Sequence, residues 1–108
     1  MPTSKTLTGK PFTYSGSLAT GLTILFGNSG KAMMIPVRII DVIRAEITRR
    51  SPVLMGANRD PLVRNSVGAT LYEKHHFSPQ AMSYVLPLLI EEEFCTVSDC
   101  KPFVIHHK

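Results

Sequence analysis

A strong helical pattern of apolar residues occupies positions 37–49 of the chain. Apolar residues recur there every three or four positions, which places them on one side of an α-helix. Arg49 and Arg50 follow at the C-terminal end, where cations oppose the negative end of the helix dipole, and Ser51-Pro52 ends the pattern. A helix with so broad an apolar side needs other elements to cover it. The stripe consists of Val37, Ile39, Ile40, Val42, Ile43 and Ile47, whereas Arg38, Asp41, Arg44 and Glu46 fall largely outside it.

The length and the apolar content fit one folded domain. The chain has 108 residues, of which 44% are hydrophobic, as in ordinary globular proteins. No apolar run approaches the roughly 20 residues that a membrane-spanning helix needs, and residues 1–10 lack the apolar segment of a secretory signal. We therefore expect a cytoplasmic protein that does not bind a membrane, with a flexible tail over residues 1–10 and a single domain over residues 11–108.

Two short apolar runs before the helix predict a β-hairpin over residues 22–35. Leu22–Phe26 is rich in β-branched and aromatic residues, and Ala32–Ile35 resumes the apolar run. The Gly, Asn and Ser residues between them tolerate the backbone angles of tight turns. Further back, a weaker pattern of Phe12, Tyr14 and Leu18 predicts a short strand.

Two further helices are expected after the first. Residues 51–65 contain Pro, Gly, Asn and Asp and predict a loop or irregular turn. Ser66 is a plausible N-cap for a short helix over Val67–His75, and the competing start is Asp60-Pro61. Ser78-Pro79 then opens a third helix, with Ser as N-cap and Pro at the first helical position. Its apolar stripe consists of Met82, Val85, Leu86, Leu89 and Ile90, and Glu91 to Glu93 follow.

The C-terminal residues predict a second hairpin. Phe94–Val97 and Phe103–Ile105 flank turn residues. Cys95 and Val97 would share one side of the first strand. We expect Cys95 and Cys100 to be reduced structural thiols, because two cysteines do not make a disulfide framework; an oxidising compartment would permit a disulfide across the hairpin.

From residue 37 onward, the order of elements resembles the winged helix-turn-helix superfamily. Three stretches carry the resemblance: Val67–Lys74 as the first helix of the motif, His75–Pro79 as the turn, and Gln80–Cys95 as the second helix and its exit into the wing. That exit commonly has a Leu, an acidic pair, a Gly and an aliphatic residue. Leu89, Glu91, Glu92, Glu93 and Phe94 stand at those places here. The fold expected is α+β, with three helices, a C-terminal β-hairpin wing and an additional N-terminal β-hairpin.

The resemblance implies that the second helix of the motif enters the major groove of DNA. Its outward positions would then contact bases or phosphate, since Gln pairs with adenine, Ser contacts bases of either kind and Tyr reaches phosphate. Neighbouring basic residues would contact the DNA backbone. The expected nucleic-acid contacts are Ser78, Gln80, Ser83, Tyr84, Lys74, His75, Lys101 and Arg64.

Two function classes remain open at this point. One is a DNA-binding transcriptional regulator, acting as a homodimer because one small module gains little affinity. The formal charge of +4 favours it. The other is a protein-interaction module that uses the acidic helix end or the N-terminal hairpin. It is favoured because residues 80–90 contain no Lys or Arg, whereas phosphate contacts dominate DNA affinity.

Enzymatic and metal-binding roles find no support in the sequence. Glu91 to Glu93 are consecutive, so their side chains spread around a helix and do not converge. The adjacent histidines at 75–76 and 106–107 point in different directions and lack Cys or Asp at ligand spacing. Gly27–Lys31 lacks the full spacing of a phosphate loop. We expect no enzyme activity, no cofactor and no metal.

Overall fold

The computed structural model describes residues 2–26, 31–57, 62–98 and 103–108. Over these residues the protein is an α+β structure with three helices and two antiparallel sheets. The helices are α1 (Val37–Arg50), α2 (Val67–His75) and α3 (Ala81–Glu91). The strands are β1 (Thr3–Lys5), β2 (Pro11–Ser17), β3 (Gly21–Phe26), β4 (Lys31–Ile35), β5 (Val53–Leu54), β6 (Cys95–Val97) and β7 (Val104–His107).

The N-terminal sheet has the strand order β1-β2-β3-β4. It contains the expected hairpin, because β3 and β4 pair with Ile24 opposite Met33 and with Leu22 opposite Ile35. The sheet is larger than expected, however. Thr3–Lys5 falls in the segment expected to be a flexible tail, yet it pairs with β2 as a strand. Its short polar sequence gives no strand signal, so this pairing depends on the neighbouring strand.

One side of the N-terminal sheet faces the rest of the protein. Because side chains alternate along a strand, the register places one set of residues together on this inner side. Most of them are apolar and buried or half-buried. The inner side carries Phe12, Tyr14, Leu22, Ile24, Phe26, Met33 and Ile35.

Helix α1 supplies the centre of the core, and most of the expected apolar stripe is found, but Val37 is exposed and Val42 is half-buried. Ile39, Ile40, Ile43 and Ile47 are fully buried. The helix contacts β3 in the first sheet, β7 in the second and α2. Its apolar side therefore joins both sheets into one core.

The predicted start of α2 is confirmed. The Ser66 hydroxyl accepts a hydrogen bond from the backbone N–H of Ala69 at 3.0 Å, so Ser66 is the N-cap. His76 caps the C-terminal end of the helix, where it adopts left-handed backbone angles and donates its N–H to the carbonyl of Leu71. The alternative start at Asp60-Pro61 lies outside the described residues.

The C-terminal sheet has the strand order β5-β7-β6 and includes the expected second hairpin. Strand β5 lies in the segment expected to be a loop. Two residues are too few to show an alternating pattern, and Val53 becomes a strand residue by pairing with Ile105. None of the helices in the described residues combines the length and apolar character that crossing a membrane requires.

Candidate functional site

Helix α3 begins two residues later than expected. Ser78, Pro79 and Gln80 form a hydrogen-bonded turn, in which Ala81 N–H donates to the Ser78 carbonyl at 3.2 Å. The Ser78 hydroxyl accepts from the backbone N–H of Gln80 at 3.2 Å, so it caps this leading turn instead of the helix itself. Gln80 is exposed and Ser78 is half-buried. Ser78 lines a shallow cleft beside Tyr72 at the end of α2.

Tyr84 faces the N-terminal sheet and not the solvent. Its ring stands edge-on to Phe12, with 5.1 Å between the centroids, and to Phe26, with 5.6 Å between the centroids. Burial raises the pKa of the Tyr84 phenol. We expected this side of α3 to point outward, so the structure differs from the expectation here. In this arrangement the ring is not presented to a groove of DNA.

The remaining positions on the same side of α3 are also covered. Pro87 is buried and Ile90 half-buried, and both lie against β1 in one small cleft. The Ser4 hydroxyl donates to the carboxylate of Glu91 at 3.1 Å. Ser83 is half-buried and faces the turn between β1 and β2. Within α3 only Glu91 is exposed, and the N-terminal sheet packs against the side of the helix that carries Tyr84 and Pro87.

The basic residues expected to contact phosphate lie at separate places. Lys74 is exposed in the last turn of α2, and Arg64 is exposed in the turn before the helix. The two residues therefore lie at opposite ends of α2. His75 is half-buried beside Lys74. Lys101 lies outside the described residues.

A buried carboxylate between α1 and α2 was missed by the sequence analysis. Glu46 was assigned to the outer side of α1, but it is only 5% exposed. Arg50 donates to Glu46 Oε1 at 2.9 Å, and Arg49 pairs with the other carboxylate oxygen. A Glu followed at three and four positions by Arg predicts ion pairs on a helix, and that signal was present in the sequence.

This carboxylate joins α1 to the start of α2. The hydroxyl of Thr70 donates to Glu46 Oε1 at 3.1 Å, and Arg50 reaches the carbonyl of Asn65 at 2.9 Å. Burial acts to raise the pKa of Glu46, but the hydrogen bonds from Arg50 and Thr70 and the arginine charges outweigh it and lower the pKa below 4.5. We interpret the cluster as structural, because its polar atoms are used in holding two helices together.

The free edge of the N-terminal sheet carries exposed apolar residues. Among the described strands β4 pairs with β3 alone, so its other edge has no strand beside it. The register places Met34 opposite Thr23 and Ala32 opposite Leu25 on the outer side of the sheet. Met34 is 74% exposed, Ala32 is exposed and Leu25 is half-buried. We call Leu25, Ala32 and Met34 the outer patch.

The described cysteine is a structural thiol. Cys95 is a free, buried cysteine in β6, as expected, and Cys100 lies outside the described residues. Burial raises the pKa of the Cys95 thiol to about 11. Such a thiol is a poor nucleophile near neutral pH, because the thiolate is the reactive form. Over the described residues no group of three or more His, Cys, Asp or Glu is placed to hold a metal ion.

Comparisons with known proteins do not add a family to these observations. No protein-family model matches the chain, and no curated protein and no solved structure is significantly similar to it.

Proposed function

We propose that residues 37–108 form a winged-helix domain. The order α1, β5, α2, α3, β6, β7 supports this, with a short turn between α2 and α3 and an antiparallel hairpin after α3. The pairing of β5 with β7 also supports it, because it attaches the hairpin to the strand between the first two helices. The four-stranded N-terminal sheet is an addition to this domain.

The function that we propose is that of a protein-interaction module that pairs with a second copy of itself through β4. The observation that carries this proposal is Met34, which is 74% exposed on an edge strand. Edge strands present unpaired backbone donors and acceptors, and natural sheets protect them with charges, prolines or covering segments. Lys31 is the one charged residue of β4, and the residues after it, Ala32 to Ile35, include neither a charge nor a proline.

Self-pairing suits this strand because a two-fold contact brings the same surface of each copy together. In an antiparallel pairing centred on Met33, Ala32 of one copy lies opposite Met34 of the partner. A small side chain then faces a large one on the outer side of the sheet. The two sheets would become continuous, and Met34 of each copy would contact Ala32 of the other across the new pair of strands. Five residues make a short strand pairing, so we expect a weak dimer.

The covering of α3 supports an interaction role over base reading. Ser83 and Tyr84 contact DNA only if the N-terminal sheet leaves α3, and that would expose Phe12 and Phe26 to water. The proposal is tested by measuring the mass in solution of the unmodified chain and of Met34→Lys.

The second candidate function is that of a regulator that binds double-stranded DNA through phosphate contacts. The exposed positions of Arg64 and Lys74, together with the exposed Gln80 before α3, favour it. In this form the protein holds the DNA backbone from the α2 side and reads few bases. Non-specific binding of this kind falls steeply with salt.

A duplex titration tests the second candidate. We expect Arg64→Ala, Lys74→Ala and Lys101→Ala each to weaken binding and to reduce the slope of log affinity against log salt by about one. Lys10→Ala, which removes an exposed lysine from the turn between β1 and β2, is the matched control. Gln80→Ala would relax any sequence preference. If mixed-sequence duplex is not bound even at low salt, DNA binding is ruled out and the interaction role is unaffected.

A further inference from the structure

An apolar groove lies between the N-terminal sheet and the proposed winged-helix domain. Its volume is about 550 Å³, within the range of roughly 300–1,000 Å³ that is usual for small-molecule sites. Leu7, in the turn between β1 and β2, forms one wall. Val63 and Phe103 also line the groove, and we call the lining residues 54–57 the floor.

Backbone hydrogen bonds hold the floor of the groove in place. Met55 N–H donates to the carbonyl of Phe103 at 3.0 Å, and its own carbonyl accepts from Gly68 N–H at 3.0 Å. The floor is thereby attached both to the C-terminal sheet and to α2. Gly56 has a φ of +64°, and a Cβ there would overlap the Ser66 hydroxyl. A floor fixed on two sides keeps its shape without a ligand, so binding costs little ordering.

The lining determines what kind of molecule fits. None of the described lining residues is charged. Leu7, Leu54, Val63 and Phe103 are all half-buried, so their apolar surfaces meet water in the empty groove. The Thr6 and Thr8 hydroxyls pair with each other at 3.1 Å. The Ser83 hydroxyl has no hydrogen-bond partner within the described part of the chain, which leaves one polar group available on the wall.

We propose that this groove binds a neutral, apolar small molecule with one hydrogen-bonding group directed at Ser83. A neutral ligand suits the described lining, because an ionised ligand would lose its hydration without gaining a counter-charge from these residues. The apolar part of the ligand would cover the half-buried side chains and displace water from them. The ligand would touch the β1–β2 turn and the C-terminal half together, and so stabilise the packing of the N-terminal sheet on α3. The proposal does not depend on either proposed function.

Displacement of a neutral dye tests the site. The probe is Nile red, whose fluorescence rises in apolar surroundings, and the competitors are 1-octanol and its charged counterpart octanoate. We expect one probe per chain, displacement by 1-octanol, and at least tenfold weaker displacement by octanoate. We also expect 1-octanol to raise the melting temperature. Absence of probe binding to the intact chain, or equal competition by octanoate, would overturn the proposal.

Variants assign the binding to this groove. Ala57→Leu places a larger side chain in the lining, and we expect it to weaken binding at least tenfold. Ala45→Leu makes the same change at an exposed position of α1 and should bind as the unmodified chain does. Ser83→Ala should weaken the binding of 1-octanol severalfold and leave the binding of an alkane of the same length unchanged. If Ala57→Leu does not fold, Leu7→Lys in the β1–β2 turn serves in its place. If the variant that folds, Ala57→Leu or Leu7→Lys, binds Nile red as the unmodified chain does, the site is refuted.

Discussion

The phenol ring of Tyr84 on α3 stands edge-on to the Phe12 ring of β2, with 5.1 Å between the ring centroids and 79° between the ring planes. Phe26 of β3 contacts the same tyrosine. These three rings connect the N-terminal sheet to the helix that the superfamily resemblance assigned to DNA. The contact explains why the Tyr84 side of α3 is not exposed.

Removing Phe12 should cost much more stability than removing the Tyr84 hydroxyl. Phe12 is buried, and truncating a buried Phe to Ala costs about 3–5 kcal/mol. The Tyr84 hydroxyl has no hydrogen-bond partner within the described residues, so we expect Tyr84→Phe to change the free energy of unfolding by less than about 0.5 kcal/mol. Urea denaturation of both variants measures this. A Phe12→Ala variant as stable as the unmodified chain would show that the sheet does not pack on α3.

Acid should weaken the contact between α1 and α2 through Glu46. The pKa of this carboxyl is lowered below 4.5 in the folded chain, so its ionised form contributes stability that is present above pH 4.5. That contribution is lost as the pH falls through the lower pKa of the folded state. In Glu46→Gln we expect lower stability at pH 7 and a smaller further loss on acidification. Thermal melting at several pH values measures both.

The control for Glu46 is Glu93→Gln, which removes an exposed carboxylate near Lys108. Its dependence of melting temperature on pH should match that of the unmodified chain. If Glu46→Gln also retains the full acid sensitivity, the Glu46 cluster is not the source of that sensitivity.

Cys95 should resist alkylation in the folded protein. With a pKa of about 11, its thiolate is scarce at pH 8, and the side chain is buried. In a Cys100→Ser variant, where Cys95 is the single thiol, we expect iodoacetamide to react at least about 100-fold more slowly than with a free cysteine. Adding urea above the unfolding transition should restore the ordinary rate. Fast reaction without denaturant would contradict the burial of β6.

Gly68→Ala should destabilise the protein although it lies in a helix. An Ala in place of Gly usually stabilises a helix by roughly 0.5–1 kcal/mol. Here the added Cβ would overlap the carbonyl oxygen of Gly56, and moving the backbone apart would break the hydrogen bond between Gly68 and Met55. We expect a net loss of about 1–3 kcal/mol, measured by urea denaturation. A gain in stability would mean that α2 and the floor of the groove are further apart.

The elements that the sequence predicted are those whose signals are local. The cap at Ser66, the stripe of α1 and the turn-flanked runs of the two hairpins each depend on nearby residues, and each is found. Thr3–Lys5 and Val53–Leu54 are different, because a short strand of ordinary composition is defined by the strand beside it. Val53–Leu54 pairs with β7, near the other end of the chain. Thr3–Lys5 pairs with β2, but its own residues carry no strand signal. A short stretch of sequence therefore identifies neither strand.

The candidate site was predicted less well, for a related reason. The outward side of α3 was inferred from its polar residues, Ser83 and Tyr84, since polar residues usually face water. A tyrosine is also a large apolar group, and Tyr84 packs on an aromatic pair that the N-terminal sheet supplies. The exposed positions of Gln80, Lys74 and Arg64 agree with expectation. The exposed edge at Met34 required the strand order, which the sequence does not contain.

The solution mass of the protein tests the proposed pairing through β4 most directly. We expect sedimentation equilibrium between about 1 µM and 1 mM to show a monomer of 11.9 kDa that converts to a dimer. Met34→Lys should weaken the dimer by roughly 2- to 30-fold, because it changes both Ala32–Met34 cross-strand pairs and each such pair contributes about 0.2–1 kcal/mol. Thr23→Lys changes the residue opposite Met34 on an interior strand and should still dimerise. A chain that stays monomeric up to 1 mM, or a Met34→Lys variant that dimerises as well as the unmodified chain, would contradict the proposal.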